Sequence, residues 1–268
     1  MAKRSAVVFG ATGLIGESLV RQLCEQEDYL LVTAIGRQAL DFKHEKLEQK
    51  IHSLDELTES DIQFAHDVFC CLGTTMKKAG SREQFEKVDF EYPMSIASLA
   101  KNQGVEHFIV ISAMGANEKA IAYYSRVKGM LETELVKLEF PRLSIIRPSL
   151  LTGNRSEFRL GEKVGEKVLK VFNPLLIGGL RKYRSIEASQ VATAMIVIAL
   201  SEDKSPVKIY KSNELAALQI SKKEEVEEEK VDKDAVFNWS KIKGYQDVLD
   251  EEVTFDRSKI KKVDRERD

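Results

Sequence analysis

Gly10, Gly13 and Gly16 recur at regular spacing directly behind the apolar run Ala6-Val7-Val8-Phe9, and an amphipathic stretch carrying Leu19, Val20 and Leu23 follows. The order reads strand, glycine turn, helix. This constrains the fold more than any other stretch, because a strand that turns tightly into a helix builds a parallel βα unit. Glycine lets the backbone turn sharply and approach a phosphate with no Cβ in the way. The new helix then directs unpaired N–H groups, equivalent to about half a positive charge, at an anion. Gly10, Thr12, Gly13, Leu14, Ile15 and Gly16 are therefore the expected cradle for a dinucleotide pyrophosphate. The plainer alternative is a turn that only caps a helix.

The rest of the chain repeats that unit. Leu30 to Ile35 reads as a second strand, Lys50 to His52 as a short third, and Val68-Phe69-Cys70-Cys71-Leu72 as a fourth, buried on both faces. Ser81-Arg82-Glu83-Gln84 is a capping box that opens a long helix ending near Gly104, with Pro93 expected to kink or restart it. Phe108 to Ile111 is a fifth strand, a helix over 118–138 follows, and Leu143 to Ile146 is a sixth strand stopped by Pro148. Helices over 161–172 and 188–200 and a strand over 207–210 complete the pattern. Strands alternating with helices predict an α/β, doubly wound parallel sheet of the Rossmann type. A small C-terminal substrate lobe is expected from about residue 151 within a domain spanning 1–218. From 219 to 268 about half the residues are charged, which predicts a charged C-terminal tail, mobile or docked through the segment around Trp239.

With 268 residues, 43% of them hydrophobic, the chain can bury a sizeable core. Its net charge of −2 argues for no nucleic acid partner. No apolar run approaches the roughly 20 residues of a membrane span. Met1-Ala2-Lys3-Arg4 leads straight into the first strand, which leaves no room for a signal peptide and points to the cytoplasm. Cys24, Cys70 and Cys71 read as buried small apolar residues with no disulfide framework, and His44, His52, His66 and His107 show no metal-ligand spacing.

The chemistry is expected where strands end. The second strand ends in Arg37, where a carboxylate would select the ribose 2′-hydroxyl of NAD(H). A guanidinium there suits a 2′-phosphate and so NADP(H). Asp55, after the third strand, is placed beside the adenine or at a helix N-cap. The fourth strand runs out through Leu72, Gly73, Thr74 and Thr75, a loop that the switch-point rule turns toward the ligand. The fifth strand ends at Ser112, and Tyr124 and Lys128 follow at helical spacing. Of the seven tyrosines, only Tyr124 has a lysine four residues on, and that cation can lower a phenol pKa by about one to three units.

The glycine turn together with Tyr124-Ser125-Arg126-Val127-Lys128 resembles the short-chain dehydrogenase/reductase superfamily. The fit is closer to its atypical branch of Tat-interacting oxidoreductase-like proteins. Ile35-Gly36-Arg37, Phe69-Cys70-Cys71-Leu72-Gly73-Thr74-Thr75, Ala79-Gly80-Ser81, Lys87-Val88-Asp89, Leu99-Ala100-Lys101, Lys128-Gly129, Arg147-Pro148 and the 155–159 segment carry it, over about residues 5 to 218. The resemblance implies an NADP(H)-binding Rossmann domain with Ser112, Tyr124 and Lys128 in the reductase positions and Arg147 and Pro148 beside the cofactor. The sequence departs from the superfamily at Ala113, where many members carry a second hydroxyl, and in its tail.

The expected activity is interconversion of a carbonyl and an alcohol in a small-molecule substrate. Tyr124 serves as general acid/base, Lys128 lowers its pKa and holds the nicotinamide ribose, and Ser112 binds the reacting oxygen. Arg155, Arg159, Arg181 and Arg184 meet either an anionic substrate or surface carboxylates. Two competing expectations share the fold. One is an NADP(H)-bound sensor or scaffold that engages a protein partner through the tail. The other is an epimerase or dehydratase. Because the tail is too charged to add much core, a chain ending at Leu218 should stay folded and keep its NADPH affinity. A drop of several degrees in melting temperature on truncation would show instead that the tail is docked.

Overall fold

The structure, a computed structural model, describes residues 3–153 and 184–219. The strands are β1 (Arg4–Phe9), β2 (Tyr29–Gly36), β3 (Leu47–Ile51), β4 (Asp67–Cys70), β5 (His107–Ile111), β6 (Arg142–Arg147), β7 (Leu151–Thr152), β8 (Ile186–Glu187) and β9 (Val207–Lys211). Among the described residues the α-helices are α1 (Leu14–Glu25), α2 (Met76–Ala79), α3 (Arg82–Glu86), α4 (Tyr92–Asn102), α5 (Tyr123–Lys137), α6 (Ala188–Leu200) and α7 (Ser212–Ala217). A seven-stranded parallel sheet runs β3-β2-β1-β4-β5-β6-β9. This is the doubly wound Rossmann architecture, and β7 and β8 pair as a separate parallel two-stranded sheet.

The alternation within β1 shows why the sheet is covered on both sides. Ala6 and Val8 pack with Leu19 and Leu23 of α1 and Val191 and Met195 of α6. Val7 and Phe9 face the other way, toward Ile96 of α4 and Leu131 of α5. Cys70 and Cys71 divide between the same two faces, as neighbours on an extended chain must. The three cysteines are free thiols.

Several boundaries move from their sequence-predicted places. β3 starts earlier, at Leu47, because it is an edge strand whose alternate charged residues give no apolar run to read. β4 ends at Cys70, since Cys71 N–H makes its bond to Phe9 O (2.9 Å) and the chain then leaves over the glycine turn. The capping serine is as expected: Ser81 accepts from Gln84 N–H. The long helix behind it is broken by a π turn at Lys87–Glu91, where Tyr92 N–H reaches back to Lys87 O. Pro93 follows with no N–H to donate, and its ring cannot sit against a carbonyl four residues back in a regular helix. The helix expected from residue 118 begins only at Tyr123. Asn117 instead draws the chain into a turn, its side chain accepting from Lys119 N–H and its carbonyl from Ala120 N–H. The helix expected over 161–172 lies outside the described residues, as do the rest of residues 154–183 in the substrate lobe and the 219–268 tail beyond its first residue.

At the N-terminal end of the sheet, adjacent strands are tied by one polar cluster. Asp67 is fully buried and accepts from Arg4 Nε (2.7 Å), Arg4 Nη2 (2.9 Å) and Tyr29 Oη (2.7 Å). His107 lies beside it, with Nε2 2.8 Å from Ser144 Oγ. Burial, with Arg142 and Arg4 nearby, pushes the His107 pKa down to about 3. The folded state thus holds a neutral imidazole, while an unfolded chain protonates near pH 6.5. Stability contributed by this group is complete above about pH 6.5 and is lost as the pH falls toward 3. Melting temperature should therefore decline over that interval, and His107→Gln should make the decline shallower; parallel curves for the two proteins would remove His107 from the acid response.

Candidate cofactor and active site

The glycine turn is built from main chain pressed against main chain. Gly10 has φ +77°, and a Cβ there would lie 2.7 Å from the Cys71 carbonyl. A Cβ on Gly16 would lie 2.2 Å from Gly10 O, so α1 can start this close to β1 only with glycine at that position. Gly13 is the N-cap of α1, and no side chain caps the helix. Leu14, Ile15 and Gly16 open its first turn, with Thr12 and Gly13 exposed in front of it. Uncapped N–H groups at an open glycine turn suit a diphosphate, so the residues present fit the group that the sequence implies.

A groove of about 600 Å³, open mouth included, leads away from this turn. Gly10, Ala11 and Thr12 of the turn line it together with Arg37, Gln38, Leu54, Leu72, Val88 and Tyr92. Arg37 is exposed at the rim. Asp55 proves not to be an N-cap: Ser53 holds that position and accepts from Asp55 N–H. The Asp55 carboxylate instead takes Lys87 Nζ (2.9 Å) and Tyr92 Oη (3.0 Å) at the edge of the groove. Hydrogen bonds from Lys87 and then Tyr92 hold its pKa below the usual carboxylate range.

The loop after β4 carries two different tasks. Thr74 N–H donates to Asp89 Oδ2 (2.8 Å), while Thr75 caps α2 by accepting from Lys78 N–H. Gly73 passes beside the Lys128 ammonium: a Cβ there would be 3.9 Å from Nζ and 3.5 Å from Asp89 Oδ1.

On α5, Tyr124 and Lys128 stand one turn apart with opposite exposure. Tyr124 is 38% exposed and its ring packs on Phe85 at 5.7 Å, whereas Lys128 is 2% exposed. Lys128 Nζ lies 2.8 Å from Asp89 Oδ1 and donates to Ile111 O (3.3 Å). Burial by itself lowers the lysine pKa, but the Asp89 carboxylate and then the Tyr124 phenol outweigh it, and the net shift is upward. Gly129 follows because the Asn117–Glu118 main chain lies where its Cβ would be, 2.2 Å away.

Ser112 and Arg147 meet on the next turn of the same helix. Ser112 is buried and donates its hydroxyl to Glu132, which also takes Arg147 Nε (2.9 Å) and Nη2. Hydrogen bonding to Glu132 raises the Arg147 pKa. Arg147, expected beside the cofactor, thus has its guanidinium on an internal carboxylate, and Pro148 supplies a carbonyl to Met114 N–H (3.1 Å). Sequence reasoning gave no role to Glu132, Phe85 or Asp89. Glu132 was within reach, four residues beyond Lys128 on the same face, while Asp89 and Phe85 come from a distant part of the chain. Arg184 lends its carbonyl to Ser149 Oγ; Arg155, Arg159 and Arg181 lie outside the described residues. Among the described residues no helix is long and apolar enough to cross a membrane.

A family model described as NAD(P)H-binding matches residues 10–170. Protein HTATIP2 of Rattus norvegicus is 38% identical over 172 residues, 62% of this chain and 71% of that protein. Protein FMP52, mitochondrial, of Eremothecium gossypii is 32% identical over 219 residues, 80% of this chain and 96% of that one. The mitochondrial label belongs to the yeast relatives and differs from the cytoplasmic location read from the N-terminus. Among solved structures, the UDP-N-acetylglucosamine 4-epimerase of Methanobrevibacter ruminantium M1 superposes with TM-score 0.59 at 18% identity, covering 79% of this chain and 77% of that one. MoeE5 in complex with UDP-glucuronic acid and NAD gives 0.60 at 16%, covering 79% of each. At such identities the likeness is one of fold.

Proposed function

The chain belongs to the NAD(P)H-binding family of Rossmann proteins, and from that premise we propose that it is an NADP(H)-dependent oxidoreductase interconverting a carbonyl and an alcohol. The observation that carries this reading is the Tyr124–Lys128 pair: an accessible phenol one helical turn from a buried, charge-paired ammonium at the cofactor edge of the sheet. Bound cofactor supplies or accepts the hydride. Tyr124 gives a proton to the carbonyl oxygen, or takes one from the alcohol. Lys128 stabilises the phenolate and holds the nicotinamide ribose. Ser112 assists the reacting oxygen by turning its hydroxyl away from Glu132, which keeps Arg147 as a partner.

NADP(H) is the proposed cofactor because Arg37 lines the groove just after β2, the position that this fold class uses to meet the adenosine ribose. NADPH should bind at least about tenfold more tightly than NADH, or roughly 1.4 kcal/mol. Arg37→Asp should reverse the order by repelling the 2′-phosphate. Equal dissociation constants in the wild type would discard this assignment.

A panel of aldehydes, ketones and quinones, followed by NADPH oxidation, tests the reaction itself. Tyr124→Phe keeps the ring against Phe85 and removes the proton donor, so turnover should fall by about two to four orders of magnitude with cofactor affinity nearly unchanged. Ser112→Ala should lose less, since water can replace the hydroxyl. Unchanged turnover in Tyr124→Phe would take this residue out of the mechanism and favour a protein that binds cofactor without turning it over.

A further inference from the structure

Building on the reductase reading, we propose that Asp89 is a positioning residue, the buried counter-ion that keeps Lys128 charged and fixed beneath the cofactor groove. The pair then works as a triad, Tyr124–Lys128–Asp89. Lysine buried in an apolar environment sheds its proton, with pKa values as low as about 5 to 6 on record. Four groups bear on Lys128 Nζ: Asp89 Oδ1 from the π turn, the Ile111 carbonyl from β5, the Tyr124 phenol from its own helix and the Cys70 thiol from β4. Burial pushes the Cys70 pKa up to about 11, so that thiol is neutral. Of the four, Asp89 alone is a carboxylate, and its Oδ1 is 2.8 Å from the ammonium.

Asp89 is itself fully buried and tightly placed. Oδ2 is held by Thr74 N–H, and Oδ1 faces the Lys128 ammonium 2.8 Å away. Removing one member of a buried pair leaves the other charge uncompensated. The residues before Asp89 tie it to the far end of the groove. Lys87 pairs with Asp55, and Val88 lines the groove wall. One π turn therefore shapes the adenine end and supplies the counter-ion at the reacting end, and such turns recur at functional sites.

Asp89→Asn tests this in the full-length protein, because amide and carboxylate have nearly the same shape. The wild-type dissociation constant for NADPH should stay almost flat between about pH 6 and pH 9, with Lys128 charged throughout. In Asp89→Asn, Lys128 should lose its proton inside that window. The constant should then rise by about tenfold toward the alkaline end, and turnover should fall over the same interval. Asp89→Glu, which keeps the charge, should restore the flat profile. A role limited to packing would lower the melting temperature without bending the pH profile, so an Asp89→Asn profile as flat as wild type overturns the proposal. Should Asp89→Asn not fold, nitrogen-15 NMR of the lysine Nζ groups in the wild type decides: Lys128 must remain an ammonium to at least about pH 9, and deprotonation below about pH 8 overturns it. If the wild type binds no NADPH at any pH, the reductase reading fails, while the NMR result still judges the pair.

Discussion

The cofactor edge of this protein depends on a main-chain contact at Gly10. Its carbonyl accepts from Gly13 N–H at 2.9 Å, sits under Gly16 of α1, and its Cα faces the Cys71 main chain. Strand β1, helix α1 and the exit of β4 converge there with no room for a side chain. The sheet order turns at the same place, β2 on one side of β1 and β4 on the other. In open α/β sheets the crevice at such a reversal takes the ligand. Arg37 at the end of β2 and Leu72 after β4 border one groove because both leave the sheet beside that contact.

Helix α5 organises the chemistry on the other side of the crevice. Tyr124, Lys128 and Glu132 follow each other at one-turn intervals, the first accessible and the other two buried. Each buried charge is paired with a residue from elsewhere, Lys128 with Asp89 and Glu132 with Arg147. Burying an ion costs several kcal/mol unless a partner and hydrogen bonds offset it. Such pairs fix geometry more reliably than they add stability, and here they fix the helix against the ends of β5 and β6. The polar cluster of Asp67, Arg4, Tyr29 and His107 sits at the opposite end of the same strands. The sheet is thus clamped by charge at both ends and by apolar packing between them.

Much of this was legible in the sequence. The glycine turn, the apolar strands and the capping serine at Ser81 are local signals, and the elements they announce are present. The helix over 188–200 is found with those bounds. The errors have equally local causes. A charged edge strand hid the start of β3, and an asparagine turn delayed the start of α5, whereas the break expected at Pro93 is present as a π turn over Lys87–Glu91. At the site, Tyr124 and Lys128 could be singled out from the sequence because they lie four residues apart. Ser112 could be singled out at the end of its strand, but its hydroxyl is directed to Glu132, which its own neighbourhood gives no means of seeing.

What the sequence determined by itself was therefore periodicity and backbone permission: where the chain extends, where it coils, and where only glycine can stand. These depend on residues a few positions apart and on the φ, ψ preferences of each. The tertiary structure alone decided which buried charge meets which. Asp89 reaches Lys128 only because a π turn between two helices and the fold of a parallel sheet bring distant segments under the same loop. A lysine at a helical position reads the same whether it faces water or a carboxylate; burial and a partner from elsewhere in the chain give it its charge state, and both exist only once the sheet has closed around it.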